Sequence, residues 1–518
     1  MLRARCLFAK HFPTSILSLL LIFSLTACRF VGISTEEDIP PYPFDADRVW
    51  KIADSTMRAQ KGWMYADTFT RPYYQQTDQH LLWATDRGID ERADTLLGFL
   101  KTVETCGLKA GSFHLDEISK ELETLRTLKP DSCEESEVAQ LLGSLDYKLT
   151  EAYMRYVYGQ RYGYVRPHNL FNNLLPDTPQ GEETRYRRIF DIHCERPNDS
   201  LFQVAVKALE SAEDLNDLLR EVQPQDALYT QMKEALQEAK QKGDEERQRL
   251  CTINLERSRW RYNRPSEEKF VWVNLADFML TAVNRSTDSI LTMKVCGGDP
   301  KHKTPLLSSK IKRLELNPYW VIPTSIIRNE LIPHHLNDSS YYARNKIVAI
   351  HNQSGEESHP WLLSEAQLKS GNYSLRQAKG EGNSLGRMIF RFPNDFAVYL
   401  HDTNNPSAFS RTVRALSHGC IRLQRPLDLA IFLMDDPDEY TVDMMRIAIG
   451  KNPLGERGKK VLEENPDHEG LSGYTYKPSV PVYLDYYTLY PDFKDGQLRS
   501  HADYYGYDKE IERILNQF

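Results

Sequence analysis

Tyr399-Leu400-His401-Asp402-Thr403, followed by Ser417-His418-Gly419-Cys420-Ile421-Arg422-Leu423, is the stretch on which the reading of this chain turns. It places one thiol, two imidazoles and a glycine turn close together. A thiol is a strong nucleophile only as thiolate, and a neighbouring imidazole lowers its pKa or takes its proton. A glycine just before the cysteine lets the backbone turn tightly and aim N–H groups at a developing oxyanion. These are the parts of an acyl-transferring cysteine site. A metal site built from His401, His418 and Cys420 lacks a fourth ligand at a familiar spacing, so no metal and no organic cofactor are expected.

Outward from this stretch, the sequence has the texture of strands. Met388-Ile389-Phe390-Arg391-Phe392 and Phe396-Ala397-Val398-Tyr399-Leu400 read as a strand pair around Pro393-Asn394-Asp395. Phe270 to Leu275 and Ile290 to Val295 read as two more strands, with a turn at Asn284 to Asp288. Val480 to Leu489 is another. Pro426 to Met434 reads as a helix that begins at a proline, which the first turn tolerates. Residues 335–380 are polar and carry Gly355, Gly371 and Gly380; they read as an insertion between strands and a candidate lid. Before residue 250 the pattern is helical, with apolar residues at three- and four-residue spacing, as in Ala93 to Leu100 and Leu209 to Val222. Charge-rich Gln237 to Arg249 marks a boundary. The fold class expected is therefore α+β: a helical N-terminal domain over 46–250, then a mostly β catalytic domain over 251–518.

The first residues read as a targeting segment. Arg3, Arg5 and Lys10 precede a short apolar run, Ile16 to Leu25, which ends in Leu25-Thr26-Ala27-Cys28. That ending resembles the lipobox of bacterial lipoproteins. It implies a signal peptide over 1–27, lipid attachment to Cys28, and a linker over 28–45 with Pro40, Pro41 and Pro43. The expected protein is periplasmic and bound to a membrane through its lipid. The formal charge of −8, with no strong basic run, argues against nucleic acid as a partner. Of eight cysteines, Cys6 leaves with the signal peptide. An oxidising compartment allows a Cys106–Cys133 bridge, although sequence does not assign connectivity.

The motif from His401 to Leu423 resembles the active site of the L,D-transpeptidases, in which a histidine is followed, after a gap, by Ser/Thr-His-Gly-Cys. Further stretches resemble the large, lidded subgroup of that family: Ile253 to Arg257, Thr304 to Ser309, Leu316 to Pro323, Gly380 to Arg387 and Pro426 to Ala430. The resemblance covers residues 251–518. It implies that Cys420 attacks the carbonyl before the terminal D-alanine of a peptidoglycan tetrapeptide stem. D-alanine leaves, and an amine of a neighbouring stem or another amine acceptor resolves the thioester, giving 3→3 crosslinks. His401 then takes the base or ion-pair role, and N–H groups around His418, Gly419 and Cys420 hold the oxyanion. Arg422 clamps a donor carboxylate, Ser417 and His418 line the site, and Tyr399 and Trp320 wall the cleft. Sequence alone does not choose between His401 and His418 as the essential base. Carbapenem β-lactams are expected to acylate Cys420. The same fold is compatible with hydrolysis of the stems, as an L,D-carboxypeptidase or endopeptidase, or with a catalytically inactive wall-binding lipoprotein. A peptidoglycan-binding module of the kind that often precedes such domains is not recognisable between residues 200 and 255.

Overall fold

The computed structural model describes residues 41–76, 80–176, 185–260 and 267–517. The signal segment, Cys28 and most of the linker lie outside the described residues. Among the described residues no helix is long and apolar enough to cross a membrane.

The N-terminal half is helical, built around one central helix, Glu135–Tyr162. At 28 residues it is about 42 Å long at 1.5 Å per residue. Almost every position from Val138 to Gln160 is buried, so its polar side chains need partners inside the protein. They have them. Asp146 accepts from the backbone N–H groups of Trp83 and Ala84 and from the Tyr74 hydroxyl, at 2.6–2.9 Å. Arg155 donates to both oxygens of Asp67 and to Glu151 at 2.9–3.0 Å, and Glu151 also meets His114 at 2.9 Å. Helices Ala46–Ala59 and Leu115–Thr127 pack against this core helix.

The strands are β1 (Phe190–Asp191), β2 (Lys269–Asn274), β3 (Met279–Asn284), β4 (Ser289–Gly298), β5 (Leu306–Leu316), β6 (Trp320–Val321), β7 (Ile347–His351), β8 (Glu357–Ser358), β9 (Tyr373–Gln377), β10 (Met388–Arg391), β11 (Leu400–His401), β12 (Ala415–Ser417), β13 (Ile421–Leu423), β14 (Gly473–Asp485), β15 (Leu489–Pro491) and β16 (Leu498–Ser500). The main sheet runs β5-β10-β11-β13-β4-β3-β2-β14, and β14 also pairs with β5. The sheet thus closes on itself, which removes unpaired edges. Val295, Leu314, Phe390, Leu400, Ile421, Leu423 and Val482 fill its core.

Three expectations meet a different arrangement here. The boundary expected at residue 250 falls inside helix Glu245–Arg259. That helix ties the two halves together: Glu256 accepts from Val165 N–H at 2.7 Å, and Arg259 donates to Cys106 O at 2.6 Å. β1, from the N-terminal half, also adds to the main sheet beside β5. The strand expected over 396–400 is only Leu400–His401. The Asn394 side chain takes the N–H groups of Phe396 and Val398 and donates to Phe392 O and Val398 O. That side chain competes with a ladder for the same backbone groups and rolls the segment into a loop. Cys106 and Cys133 are free thiols, in separate hydrophobic clusters.

The lid is larger than expected and is a folded unit. Leu316 pairs with Met388, and Asn317 N–H donates to Arg387 O at 2.7 Å. Residues 317–387 therefore hang from the neck of a hairpin. They form their own sheet, β6-β9-β7-β8, over a core of Ile322, Ile327, Leu331, Tyr342, Ile347 and Leu375. The polar composition of 335–380 hid the short strands β7 and β9.

Candidate active site

β11 and β13 are parallel neighbours, with Leu400 opposite Ile421 and His401 opposite Arg422. Side chains alternate across a strand. Leu400, Ile421 and Leu423 point into the core, so His401 and Arg422 share the other face. Cys420, two residues before Arg422, belongs to that face, and Ile421 N–H donates to Tyr399 O at 2.9 Å. The register thus brings His401, Tyr399, Cys420 and Arg422 together. A slip of one residue would turn the whole set inward.

His401 is buried, at 3% exposure. Its Nδ1 lies 3.4 Å from Leu385 O. A carbonyl only accepts, so Nδ1 carries the proton and Nε2 keeps its lone pair. Burial, reinforced by the Arg422 cation, pushes the imidazole pKa down to about 4, against the backbone groups of Asp402 and Leu385. His401 is therefore a neutral base at physiological pH. Burial pushes the Cys420 thiol up, and the Tyr399 backbone with the Arg422 and Arg391 cations opposes this without cancelling it. Of the base and ion-pair roles that the resemblance leaves to His401, these shifts favour the base, with a thiol beside a neutral imidazole. Cys420 S–H points to Ala397 O at 3.9 Å, a long contact that a substrate can displace.

The motif loop is shaped by hydrogen bonds. Ser417 is buried; its hydroxyl donates to Cys420 O at 2.5 Å and accepts from Gly419 N–H at 3.1 Å. The Gly419 N–H is thus already engaged, which corrects the oxyanion role expected of it. Gly419 is needed for its backbone, at φ +114°, a region that side-chain-bearing residues avoid. Its carbonyl accepts from the buried Thr304 hydroxyl at 2.9 Å, which in turn accepts from Gly298 N–H at 2.9 Å.

Arg422 Nε is buried without a hydrogen-bond partner among the described residues. Such an orphan is costly in a finished core and marks a place for an anion. Tyr399 lies under the Arg391 guanidinium, 4.4 Å from ring centroid to Cζ, and Arg391 is paired with Glu315 at 2.9 Å. Trp320 is corrected: it packs partly buried against the lid's own core, because the lid begins earlier than its polar stretch suggests. His418 is exposed and points to the lid, with Nε2 2.8 Å from Glu330 Oε1. Its ring lies 4.7 Å from that of His302, which meets Asp299 at 3.1 Å. Although burial raises Asp299, hydrogen bonds from the side chain and backbone of His302 and from the Lys301 backbone hold it below the usual carboxylate range. Glu330, His302 and Asp299 escaped the sequence reading, and Thr304 entered it only as the start of a resembling stretch. All four lie 88 to 119 positions before His418, and only the fold brings them in.

Residues 268–461 match the L,D-transpeptidase catalytic domain, YkuD. This chain carries an L,D-transpeptidase catalytic domain. Ahead of it, residues 68–236 match a family described as a scaffold domain, the helical half built on Glu135–Tyr162. A Haemophilus influenzae protein named "Putative L,D-transpeptidase" is 28% identical over 247 residues, which is 48% of this chain and 46% of that protein. The chain thus aligns with less than half the length of this curated relative. Two crystal structures of L,D-transpeptidase 3 from Mycobacterium tuberculosis, one with a faropenem-derived adduct, align over 42% of this chain and 60–61% of theirs. They share 12% and 11% identity with it at a TM-score of 0.18, and a likeness that slight carries no inference about this chain.

Proposed function

We propose that this protein is a peptidoglycan L,D-transpeptidase that forms 3→3 crosslinks by acyl transfer through a thioester on Cys420. The observation that carries the proposal is the shared sheet face of β11 and β13. It joins a neutral imidazole whose Nδ1 faces a carbonyl, a thiol, and a guanidinium whose buried Nε has no hydrogen-bond partner among the described residues.

In this mechanism a carboxylate of the tetrapeptide donor binds Arg422. Cys420 Sγ attacks the carbonyl before the terminal D-alanine as its proton passes to His401 Nε2. The His418 and Cys420 N–H groups hold the oxyanion; one such donor is worth about 3 kcal/mol of barrier. The imidazolium protonates the departing D-alanine nitrogen, leaving the thioester. An acceptor amine then attacks the same carbon, and the thiolate leaves and regains a proton through His401. Carbapenem β-lactams would acylate the same sulfur by the first half of this sequence.

The motif Leu25-Thr26-Ala27-Cys28 supports the further proposal that the protein is periplasmic and lipid-anchored. Cys28→Ala should then move it from the membrane to the soluble fraction, and unchanged membrane association would refute the anchor. The function itself is tested by mass spectrometry of purified stems incubated with the protein. Dimers joined 3→3 are expected; tripeptides alone, or unchanged stems, would overturn the assignment.

A further inference from the structure

The lid makes a polar contact with the catalytic motif that the mechanism above does not use. Glu330 sits in a π-helical turn, Ile327–Leu331, a local form often found at functional sites. Ile327 and Leu331 are buried in the lid core, so the turn is anchored and Glu330 is presented at a fixed place. Its Oε1 lies 2.8 Å from His418 Nε2. Beyond His418 come His302, at 4.7 Å between rings, and Asp299, at 3.1 Å from His302. Two carboxylates thus bracket two imidazoles in one row. Glu330 and His418 remain 44% and 43% exposed, open to a ligand.

Along the chain the order is His418, the glycine turn, Cys420, then Arg422 on the β13 face. In sequence, the nucleophile thus has a cation two residues after it and, two residues before it, the imidazole that meets the lid carboxylate. A donor stem brings a carboxylate. An acceptor must bring an amine, which at neutral pH is an ammonium ion and cannot attack until it loses a proton.

We infer that Glu330 of the lid, with His418, is the seat and proton acceptor for the ammonium group of the amine that resolves the thioester. The inference rests on the transpeptidase reading above and extends it to the second substrate. The ammonium gives one proton to the Glu330 carboxylate and becomes a free amine. The amine nitrogen bonds to the thioester carbon and the C–S bond breaks. The surplus proton on nitrogen passes through His401 to the departing thiolate, restoring the thiol, and Glu330 releases its proton to water. The acceptor specified is a primary amine next to the lid turn. Water, which carries no cation, makes no such demand, so Glu330 separates transfer from hydrolysis.

The test uses the purified protein with one tetrapeptide donor and an amine acceptor of varied concentration. Three quantities are read: acylation of Cys420 by mass gain, acceptor KM, and the ratio of crosslinked dimer to hydrolysed tripeptide. Glu330→Gln keeps a hydrogen-bond acceptor for His418 but removes the charge. It should leave acylation within about twofold, raise acceptor KM about tenfold or more, and shift products toward the tripeptide, as expected for loss of one charge-assisted hydrogen bond. Glu330→Asp should recover part of the loss, which a merely structural lid contact would not predict. Normal acylation with unchanged KM and product ratio in Glu330→Gln would overturn the acceptor assignment alone. Absence of acylation in the unaltered protein would overturn the transpeptidase reading and this inference with it.

Discussion

The helical half and the catalytic face both hold charged groups away from water, and they treat them in opposite ways. Against Glu135–Tyr162, the charged groups Asp67, Arg155, Glu151 and His114 satisfy one another. At Cys420 the groups are left poised. Among the described residues Arg422 Nε has no hydrogen-bond partner, the thiol has one long contact, and His401 is held neutral. Buried charge is tolerated for structure where its partners are inside the protein, and for chemistry where a partner is left for the substrate to supply.

The sharpest way to break this comparison is at the sulfur. Cys420→Ser should lower turnover by at least about 10³-fold, with the melting temperature nearly unchanged, because the thiol holds nothing in place. Retained turnover in a stopped stem assay would remove Cys420 from the mechanism. The converse test is Arg155→Met in the helical half. Removing one member of a buried pair costs about 3–5 kcal/mol and leaves Asp67 and Glu151 uncompensated. Chemical denaturation should show that loss while acylation per folded molecule stays within about twofold of the unaltered protein, a bound taken from the usual independence of distant sites. A loss under about 1 kcal/mol, the size of an ordinary substitution, would mean that the network is not structural.

His401 sharpens the contrast through pH. Its folded pKa of about 4 lies below the ordinary value of about 6.5. The unfolded chain therefore binds the proton first, and the stability carried by neutral His401 is present above pH 6.5 and lost as pH falls toward 4. The loss amounts to at most about 3 kcal/mol. His401→Gln should flatten that part of the stability curve; an identical acid limb in both proteins would show that His401 is not held neutral by burial. The smallest effect is expected at Arg422→Ala. Donor use should fall about 10- to 100-fold, the worth of one charge-assisted contact, with little change in stability. Equal losses on donors with and without the matching carboxylate would remove the clamp.

Much of the site was readable because its chemistry is local. Ser417 to Arg422 carries thiol, imidazole, glycine and guanidinium in six residues, and alternation along β13 follows from Ile421 and Leu423 being apolar. The limits of sequence reading were physical. Gly419 was expected to donate to the oxyanion, but the Ser417 hydroxyl two residues away occupies its N–H. Trp320 looked like a cleft wall because an aromatic side chain suits either a cleft or a core, and here it packs against the lid core. Residues 396–399 read as strand because Phe, Val and Tyr favour strands, but the Asn394 side chain captured their backbone. Glu330 carried no signal, since one acidic residue in a lid looks like any other.

By itself, the sequence determined the candidate reactive residues, the helical and β halves, and the existence of an insertion, because covalent neighbours and hydrophobic period are local properties. The tertiary structure alone decided which groups are free to react. Register placed His401 beside Arg422, burial set its charge, the Ser417 hydroxyl withdrew one N–H, and the folded lid brought Glu330 to His418. Each of those depends on distance and solvent exclusion between segments far apart in the chain, which no local pattern encodes.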